Sequence, residues 1–195
     1  MSRALVITMK NPVKGKVKTR LASTVGEELA LDIYLALLAH TRQVACQVEA
    51  ARHLFYSDFV DENDDWPSRF FLKNIQHGID IGERMAQALE NVLRQHDKAI
   101  LVGCDIPGLS AAILELAFEK LSTHDFVIGP AEDGGYYLIG MKTFEPSVFQ
   151  GIIWSTSSVF KKTVDRMKAI GKSWYLLPTL PDVDTEEDWV KLLIG

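Results

Sequence analysis

Basic side chains are concentrated at the start of the chain, where the first 26 residues contain six Lys or Arg and no Asp or Glu. Most of them lie in one loop that follows an apolar run and precedes a long amphipathic segment. Such cations donate charge-assisted hydrogen bonds, a forked guanidinium suits phosphate oxygens, and glycine allows close backbone approach. The loop matches neither a GxxxxGK[ST] nor a GxGxxG motif. It predicts binding of a compact anion such as a diphosphate, with a solvated lysine-rich loop as the alternative. The residues expected to contact the anion are Lys10, Lys14, Gly15, Lys18 and Arg20.

Carboxylates that could hold a divalent metal occur at two places. Asp105 lies two residues after the end of the apolar strand 99–103, and Asp182 and Asp184 precede the last short helix. Mg²⁺ and Mn²⁺ accept carboxylate oxygens as ligands and share them with substrate phosphates. The alternative for Asp105 is that it caps a turn or the following helix. The acidic residues after Asp184 suit the positive end of a helix dipole, so only Asp182 and Asp184 are free for another role.

Two glycine-containing segments complete the candidate site. Asp133-Gly134-Gly135 separates two strands and could be a simple hairpin turn. The two glycines, the adjacent carboxylates and the two following tyrosines also suit the close approach of a polyhydroxylated ligand. In segment 76–85, the glycines and Arg84 could face a base or a ribose. His77 has no Ser or Cys partner nearby in sequence, so a nucleophilic triad is not predicted. The residues expected to bind the nucleotide here are Gln76, Gly82, Arg84, Gly134 and Gly135.

Strand-like and helix-like segments alternate along the chain and must position these loops. The alternation predicts an α/β protein in which helices cover both faces of a mainly parallel sheet. Ligands of such sheets bind beyond the carboxyl ends of the strands, here after Met9, Gly103 and Ile128. Ser110 is a predicted N-cap, Thr185 with Asp188 resembles a capping box, and one of residues 155–157 should cap another helix. The predicted strands are 4–9, 53–56, 69–72, 99–103, 126–128, 136–141 and 174–177, and the predicted helices carry apolar stripes within 25–44, 85–93, 113–121, 159–167 and 189–193.

Composition limits the classes of function. The chain has 195 residues and a net charge of −5, and beyond residue 26 it carries 15 cations and 26 carboxylates. A basic loop on an acidic body argues against nucleic-acid binding, which needs an extended positive face. No apolar run reaches the ~18 residues of a membrane helix. Cys46 and Cys104 do not suggest a disulfide framework or structural zinc, and Cys104 should be buried. We expect one cytoplasmic domain, residues 1–195, without a membrane span.

Taken together, the motifs resemble the glycosyltransferase-like proteins of the nucleotide-diphospho-sugar transferase superfamily, which are similar in fold to molybdenum-cofactor and phospholactate guanylyltransferases. The resemblance implies a Rossmann-like, three-layer α/β/α glycosyltransferase A-type fold with a nucleotide over the first strand. It implies that Asp105 and Asp184 bind the metal, and that Lys18 and Arg20 neutralise the diphosphate. The GGxSxRMG loop of the molybdenum-cofactor enzymes is absent, which argues against guanylyl transfer to that cofactor. The motifs are KxPxxGxxKTRL (10–21), QxGxxxGERM (76–85), GxDxPxL (103–109), GPAxDGGYYLIG (129–140), WST (154–156) and DVDTxEDW (182–189).

The leading hypothesis from the sequence is glycosyl transfer from a nucleotide diphosphate sugar to an unknown small-molecule acceptor. Mg²⁺ or Mn²⁺ on Asp105 and Asp184 would neutralise the leaving diphosphate together with Lys18 and Arg20, and Asp133 would orient hydroxyl groups. One alternative is nucleotidyl transfer from an NTP to a phosphorylated small molecule. Another is nucleotide binding without catalysis. A homodimer is compatible with each hypothesis.

Overall fold

The computed structural model describes residues 2–194, with side chains for residues 2–192. The strands form one seven-stranded sheet in the order β3-β2-β1-β4-β6-β5-β7. Within it, β6 pairs antiparallel with β4 and β5, and the other pairs are parallel. The predicted mainly parallel mixed sheet is therefore confirmed. The strands are β1 (Arg3–Met9), β2 (Ala51–Tyr56), β3 (Leu72–Ile75), β4 (Lys98–Val102), β5 (Phe126–Pro130), β6 (Tyr136–Met141) and β7 (Trp174–Leu176).

Helices cover both faces of the sheet, which confirms the three-layer arrangement. One apolar core packs α2 and α4 against one face, and a second packs α3, α5 and the 3₁₀ helix against the other. The central strand β1 has buried residues pointing to both faces, as its continuous apolar run predicts. The helices are α1 (Thr19–Val25), α2 (Glu27–Cys46), α3 (Ile81–Leu93), α4 (Ala111–Lys120), α5 (Val159–Ala169) and α6 (Glu186–Ile194), with the 3₁₀ helix at Pro146–Phe149.

Side-chain caps fix where three helices begin. The hydroxyl of Ser110 accepts a hydrogen bond from Ile113 N, which confirms the predicted N-cap of α4. Thr185 and Asp188 bond each other through backbone and side chain, which confirms the capping box of α6. Asp80 caps α3 by accepting from Glu83 N. These contacts satisfy backbone N–H groups that have no partner inside the helix.

Three local predictions were wrong. The strand predicted at 69–72 is β3 and begins three residues later, at Leu72–Ile75; residues 68–70 form a turn, and Phe70 N and Phe71 N donate to Pro67 O. Helix α1 was not predicted: it contains Val25, the first residue of the predicted stripe, and Gly26, with a φ of 88°, separates it from α2, which carries the rest of that stripe. The residue that precedes α5 is Ser158 rather than one of residues 155–157, and its side chain makes no capping bond.

The carboxyl ends of the parallel strands meet along one edge of the sheet. The loop after β4 is joined there to the chain before α6, because Val183 N donates to Asp105 O at 3.2 Å. The strands β5 and β6 form the hairpin that the Asp-Gly-Gly turn suggested. Cys104, at this edge, is buried as predicted. Within the described residues, no helix is both long and apolar enough to cross a membrane.

Candidate functional site

A cavity of about 560 Å³ opens at this edge of the sheet. Its walls come from the loops after β1, β2, β3, β4 and β5, and from the segments around residues 154–156 and 182–184. It therefore lies where the strand alternation predicts a ligand. The predicted site residues that line it are Lys10, Gln76, Arg84, Asp105, Asp133, Gly135 and Asp184, and those outside its lining are Lys14, Gly15, Lys18, Arg20, Gly82 and Gly134.

Lys18 connects the two predicted metal-binding carboxylates. Its Nζ lies 3.2 Å from Asp105 Oδ2 and 3.0 Å from Asp184 Oδ1, and only 5% of its side chain is exposed. Burial by itself would lower the pKa of Lys18, but the charges of Asp105 and Asp184 outweigh it and the pKa is raised. The ammonium is therefore a fixed positive charge beneath the cavity. Asp105 and Asp184, which are 87 and 166 positions from Lys18 in the sequence, thus converge on its ammonium.

The backbone conformation of Lys18 and of Ser155 is also unusual. Lys18 (φ 46°) and Ser155 (φ 59°) are the two non-glycine residues with positive φ among those that the structure describes. Left-handed backbone is uncommon for residues with a Cβ and concentrates at functional sites. Lys18 precedes α1 in this conformation, and Ser155 lines the cavity. The residue that carries the buried ammonium and one residue of the cavity lining thus both have left-handed backbone.

Most of the other predicted anion contacts of the basic loop lie outside the cavity lining. Lys14 pairs with Glu28 at 2.8 Å on the exposed surface, and Gly15 lies beside the side chain of Glu27. The guanidinium of Arg20 is 72% exposed and 3.9 Å from Asp184 Oδ2. Lys10 lines the cavity. Lys10 and Lys18 are therefore the loop cations placed to act on a ligand in the cavity, with Arg20 near its edge.

Two residues that the sequence did not single out fix the basic loop. The hydroxyl of Tyr34 donates to Lys10 O and accepts from Lys10 N, both at 2.9 Å. Asn11, which is 3% exposed, accepts from Asp58 N and donates to Phe59 O. A buried amide with every polar atom bonded makes a rigid connection between two loops. The only sequence signal for Asn11 was its position in the loop that follows a buried strand.

The wall built by the loops after β1, β2 and β3 is basic. Gln76 Nε2 donates to Met9 O and Phe55 O, both at 2.9 Å, so its amide nitrogen ties the ends of β1 and β2 together. Arg84 lines the same wall, and its Nε donates to Gly78 O. Together with Lys10, Arg84 gives this wall two cations. We call the part of the cavity lined by Lys10, Ser57, Gln76, Asp80 and Arg84 the basic half.

The opposite wall carries carboxylates and aromatic rings. Asp133 accepts a hydrogen bond from Gly135 N at 2.7 Å, which orders the turn between β5 and β6. Asp182, half-buried across the cavity, has its pKa raised to about 6 by burial and by the negative charges of Asp133, Asp184 and Asp105. The rings of Tyr136 and Trp154 meet edge to face at 6.5 Å. We call the part of the cavity on this side the acidic half; it is lined by Ala131, Asp133, Gly135, Tyr136, Tyr137, Trp154, Ser155, Thr156 and Asp182.

Two glycines outside the cavity lining shape the acidic half. A Cβ on Gly82 would lie 2.2 Å from the Trp154 indole, so the absence of a side chain in α3 makes room for that ring. Gly134 has a φ of 88°, and a Cβ there would lie 2.3 Å from Ser157 O. Neither position can accept a side chain without movement of its neighbour. Their direct role is therefore to position the acidic half.

The carboxylates fit a metal that also takes ligands from a phosphate. Asp105 and Asp184 already converge on one cation, the Lys18 ammonium, and Mg²⁺ is commonly held by one or two carboxylates plus substrate phosphates. Within the described side chains, no group of three or more His, Cys, Asp or Glu is arranged to hold a metal. The donor set therefore suits a metal that arrives with a nucleotide rather than a permanent structural ion.

Comparison with protein families gives one match. Residues 37–156, more than half of the chain, match the family described as "Uncharacterized protein conserved in bacteria (DUF2064)". The match includes β2, β3, β4, β5 and β6 with the loops that line much of the cavity. No curated protein matches the chain.

Solved structures match almost the whole chain. A candidate nucleotide-diphospho-sugar transferase from Desulfovibrio desulfuricans G20 is 34% identical with a TM-score of 0.91, covering 98% of this chain and 87% of that one. The inositol-1-phosphate CTP transferase from T. maritima is 11% identical with a TM-score of 0.64, covering 96% and 91%. Rv0371c from Mycobacterium tuberculosis H37Rv, in complex with manganese, is 16% identical with a TM-score of 0.56, covering 100% of both. The two distant matches establish the fold alone.

Proposed function

The chain belongs to the DUF2064 family and to the nucleotide-diphospho-sugar transferase superfamily, and from this premise we propose that it is a metal-dependent nucleotidyltransferase acting on an NTP and a small-molecule acceptor. The fold match to a CTP transferase supports nucleotidyl transfer over the glycosyl transfer that led the sequence-based hypotheses. The match to a protein in complex with manganese supports the use of a divalent metal. The geometry of the cavity supports the residue roles that we propose below.

The observation that carries the proposal is the meeting of Lys18, Asp105 and Asp184 at the cavity. Nucleotidyl transfer builds up negative charge on the triphosphate as pyrophosphate leaves. Lys18 supplies a buried positive charge whose position is fixed by two carboxylates, so no reorganisation is needed when that charge develops. Asp105 and Asp184 would hold Mg²⁺ or Mn²⁺, which when bound neutralises phosphate charge and polarises the phosphorus centre.

The two halves of the cavity have different roles in this proposal. Lys10 and Arg84 in the basic half would bind phosphate oxygens, while Gln76 and Ser57 would face the base or ribose. Gly135 and Asp133 in the acidic half would face the acceptor. Arg20, near Asp184 and exposed, would reach the departing pyrophosphate from the edge. Lys14 and Gly15 are not assigned a contact, because both face acidic residues of α2.

Glycosyl transfer from a nucleotide diphosphate sugar is the second candidate, favoured by the 34% identical relative, which is itself a candidate nucleotide-diphospho-sugar transferase. It would use the same cations and metal ligands on a different bond, between the sugar carbon and the diphosphate. The leaving group separates the two reactions, since nucleotidyl transfer releases pyrophosphate and glycosyl transfer releases a nucleoside diphosphate.

A single incubation series tests both candidates. The protein is mixed with Mn²⁺ or Mg²⁺, then with each NTP or a panel of nucleotide sugars, plus pooled acceptor compounds. Thermal shift identifies the nucleotide that binds, and released pyrophosphate or nucleoside diphosphate is measured by chromatography. Pyrophosphate release supports the proposal, and nucleoside diphosphate release replaces it with glycosyl transfer. Binding without either product would identify a nucleotide-binding protein that is not an enzyme.

A further inference from the structure

The distribution of charge in the cavity limits the chemistry of the acceptor. The basic half carries two cations, Lys10 and Arg84, and one carboxylate, Asp80, which caps α3. The lining of the acidic half, within the described side chains, contains Asp133 and Asp182 and no Lys, Arg or His. The polar groups that remain there are hydroxyls, such as those of Ser155 and Thr156. An anionic substituent placed in this half would meet carboxylates without a compensating cation.

The metal and the buried lysine do not change this asymmetry. Lys18 lies under the cavity between Asp105 and Asp184, where its charge is already shared by two carboxylates. A divalent metal on those two residues would be neutralised further by the phosphates of the nucleotide. The carboxylates of Asp133 and Asp182 therefore face the space that the acceptor would occupy without a cation beside them in the described lining of that half.

We infer that the acceptor presents hydroxyl or ammonium groups, and no phosphate or carboxylate, to the pocket formed by Asp133, Asp182, Tyr136 and Trp154. Paired carboxylates accept hydrogen bonds from such donors, and aromatic faces bind sugar C–H groups and cations. This inference rests on the proposed function, and it differs from the phosphorylated acceptor that the sequence suggested. An amino sugar, an amino alcohol or a polyol has the required chemistry.

The reaction on such an acceptor balances without another reactant. The acceptor hydroxyl oxygen forms a bond to the α-phosphorus of the NTP, and the bond from that phosphorus to the bridging oxygen of the β-phosphate breaks. Pyrophosphate leaves with the bonding electron pair. The hydroxyl proton passes to the carboxylate of Asp133, which is exposed and returns it to solvent.

Matched pairs of compounds test the inference. The full-length protein, Mn²⁺ and the nucleotide that binds are mixed with glucosamine or glucosamine 6-phosphate, myo-inositol or its 1-phosphate, and ethanolamine or phosphoethanolamine. Acceptor-dependent release of pyrophosphate and of nucleoside diphosphate is measured for each compound. We expect at least one unphosphorylated compound to react about tenfold faster than its phosphorylated twin, because like charges repel in the acidic half. Equal rates within every pair, or faster reaction of the phosphorylated twins, would overturn the inference.

Charge reversal provides the second measurement. Asp133→Lys and Asp182→Lys should each move the preference toward the phosphorylated twin. Glu132→Lys is the matched control, because Glu132 is exposed next to Asp133 but does not line the cavity, and it should keep the wild-type preference. An unchanged preference in both Asp variants overturns the inference. Failure of the proposed function looks different, because the wild-type protein would then release no pyrophosphate with any compound of the panel, phosphorylated or not.

Discussion

The two ends of the sheet use charged side chains in opposite ways. At the amino end, charged side chains have their own hydrogen-bond partners: Arg3 holds Glu115 through two bonds of 2.7 and 2.9 Å, and Asp97 accepts from both the N and the Oγ of Ser2. At the carboxyl end, Asp105 and Asp184 share one lysine, and Asp133 and Asp182 face a cavity. Excess negative charge of this kind does not help the fold.

This difference indicates which contacts serve stability and which serve binding. Fully paired groups hold chain segments together, so their loss should reduce stability and leave activity unchanged. Uncompensated carboxylates repel one another, so neutralising one should leave stability unchanged or increase it while activity is lost. Variants chosen from the two ends should therefore separate the two properties.

The largest effect is expected for Asp105→Asn. The amide removes a metal-binding charge, and we expect the rate of pyrophosphate release to fall about 100-fold or more. The melting temperature should not decrease, because Asp184 still pairs with Lys18. Asp97→Asn at the amino end is the control and should keep full activity with a lower melting temperature. Wild-type turnover of the Asp105→Asn variant would show that Asp105 has no role in the mechanism.

Two lysines of the basic loop provide the second comparison. Lys18→Met removes the buried charge between Asp105 and Asp184, so nucleotide affinity should fall about tenfold. Mn²⁺ affinity in the absence of nucleotide should rise, because the two carboxylates lose their competing cation. Lys14→Met should change neither quantity, since Lys14 is exposed and bound to Glu28. Isothermal titration of Mn²⁺ and of the nucleotide measures both, and equal behaviour of the two variants would contradict the assignment.

The packing of the acidic half is tested by Gly82→Ala. The added Cβ overlaps the Trp154 indole, and displacement of that ring should cost up to about 3 kcal/mol of unfolding free energy. Acceptor-dependent turnover should fall while nucleotide binding is kept. The double variant Gly82→Ala/Trp154→Ala should recover part of the stability but not the turnover. Chemical denaturation and the assay of product release distinguish these effects, and full recovery of turnover would exclude a role for Trp154.

The smallest effect is expected in the pH dependence of the free energy of unfolding, which involves a histidine pair, His53 and His96. His53 Nε2 lies 3.2 Å from His96 Nε2, and burial together with the charge of His96 lowers the pKa of His53 to about 4. This folded-state pKa is below the ordinary value of 6.5, so the stabilisation is complete above pH 6.5 and is lost as the pH falls toward 4. The loss should be about 2 kcal/mol after allowance for solvent screening.

Denaturation at pH 7.5 and pH 4.5 measures this loss. His53→Gln should reduce the difference between the two pH values, whereas His77→Gln, at an exposed position, should leave it unchanged. Turnover of His53→Gln at pH 7.5 should equal that of the wild type, because the residue lies far from the cavity edge. An equal pH dependence in both variants would show that another group causes the acid sensitivity.

Much of the fold could be predicted because local patterns determine it. Apolar runs identified β1, β4, β5 and β6, and the cap sequences at Ser110 and Thr185 identified where α4 and α6 begin. The prediction failed for elements without such a pattern. Strand β3 is an edge strand with an exposed first residue, and Gly26 splits a continuous apolar stripe by its backbone conformation rather than by its side chain.

The sequence by itself determined that a basic loop and several carboxylates follow the strands of an α/β sheet, because composition and strand spacing are local properties. Tertiary structure alone decided which of these charges meet. Lys14 and Lys18 are equivalent in the sequence, yet one pairs with Glu28 at the surface and the other is buried between Asp105 and Asp184. The reason is physical: the direction of a side chain in a loop depends on backbone dihedrals and on partners distant in sequence. The sign of charge in each half of the cavity was fixed in the same way, by folding.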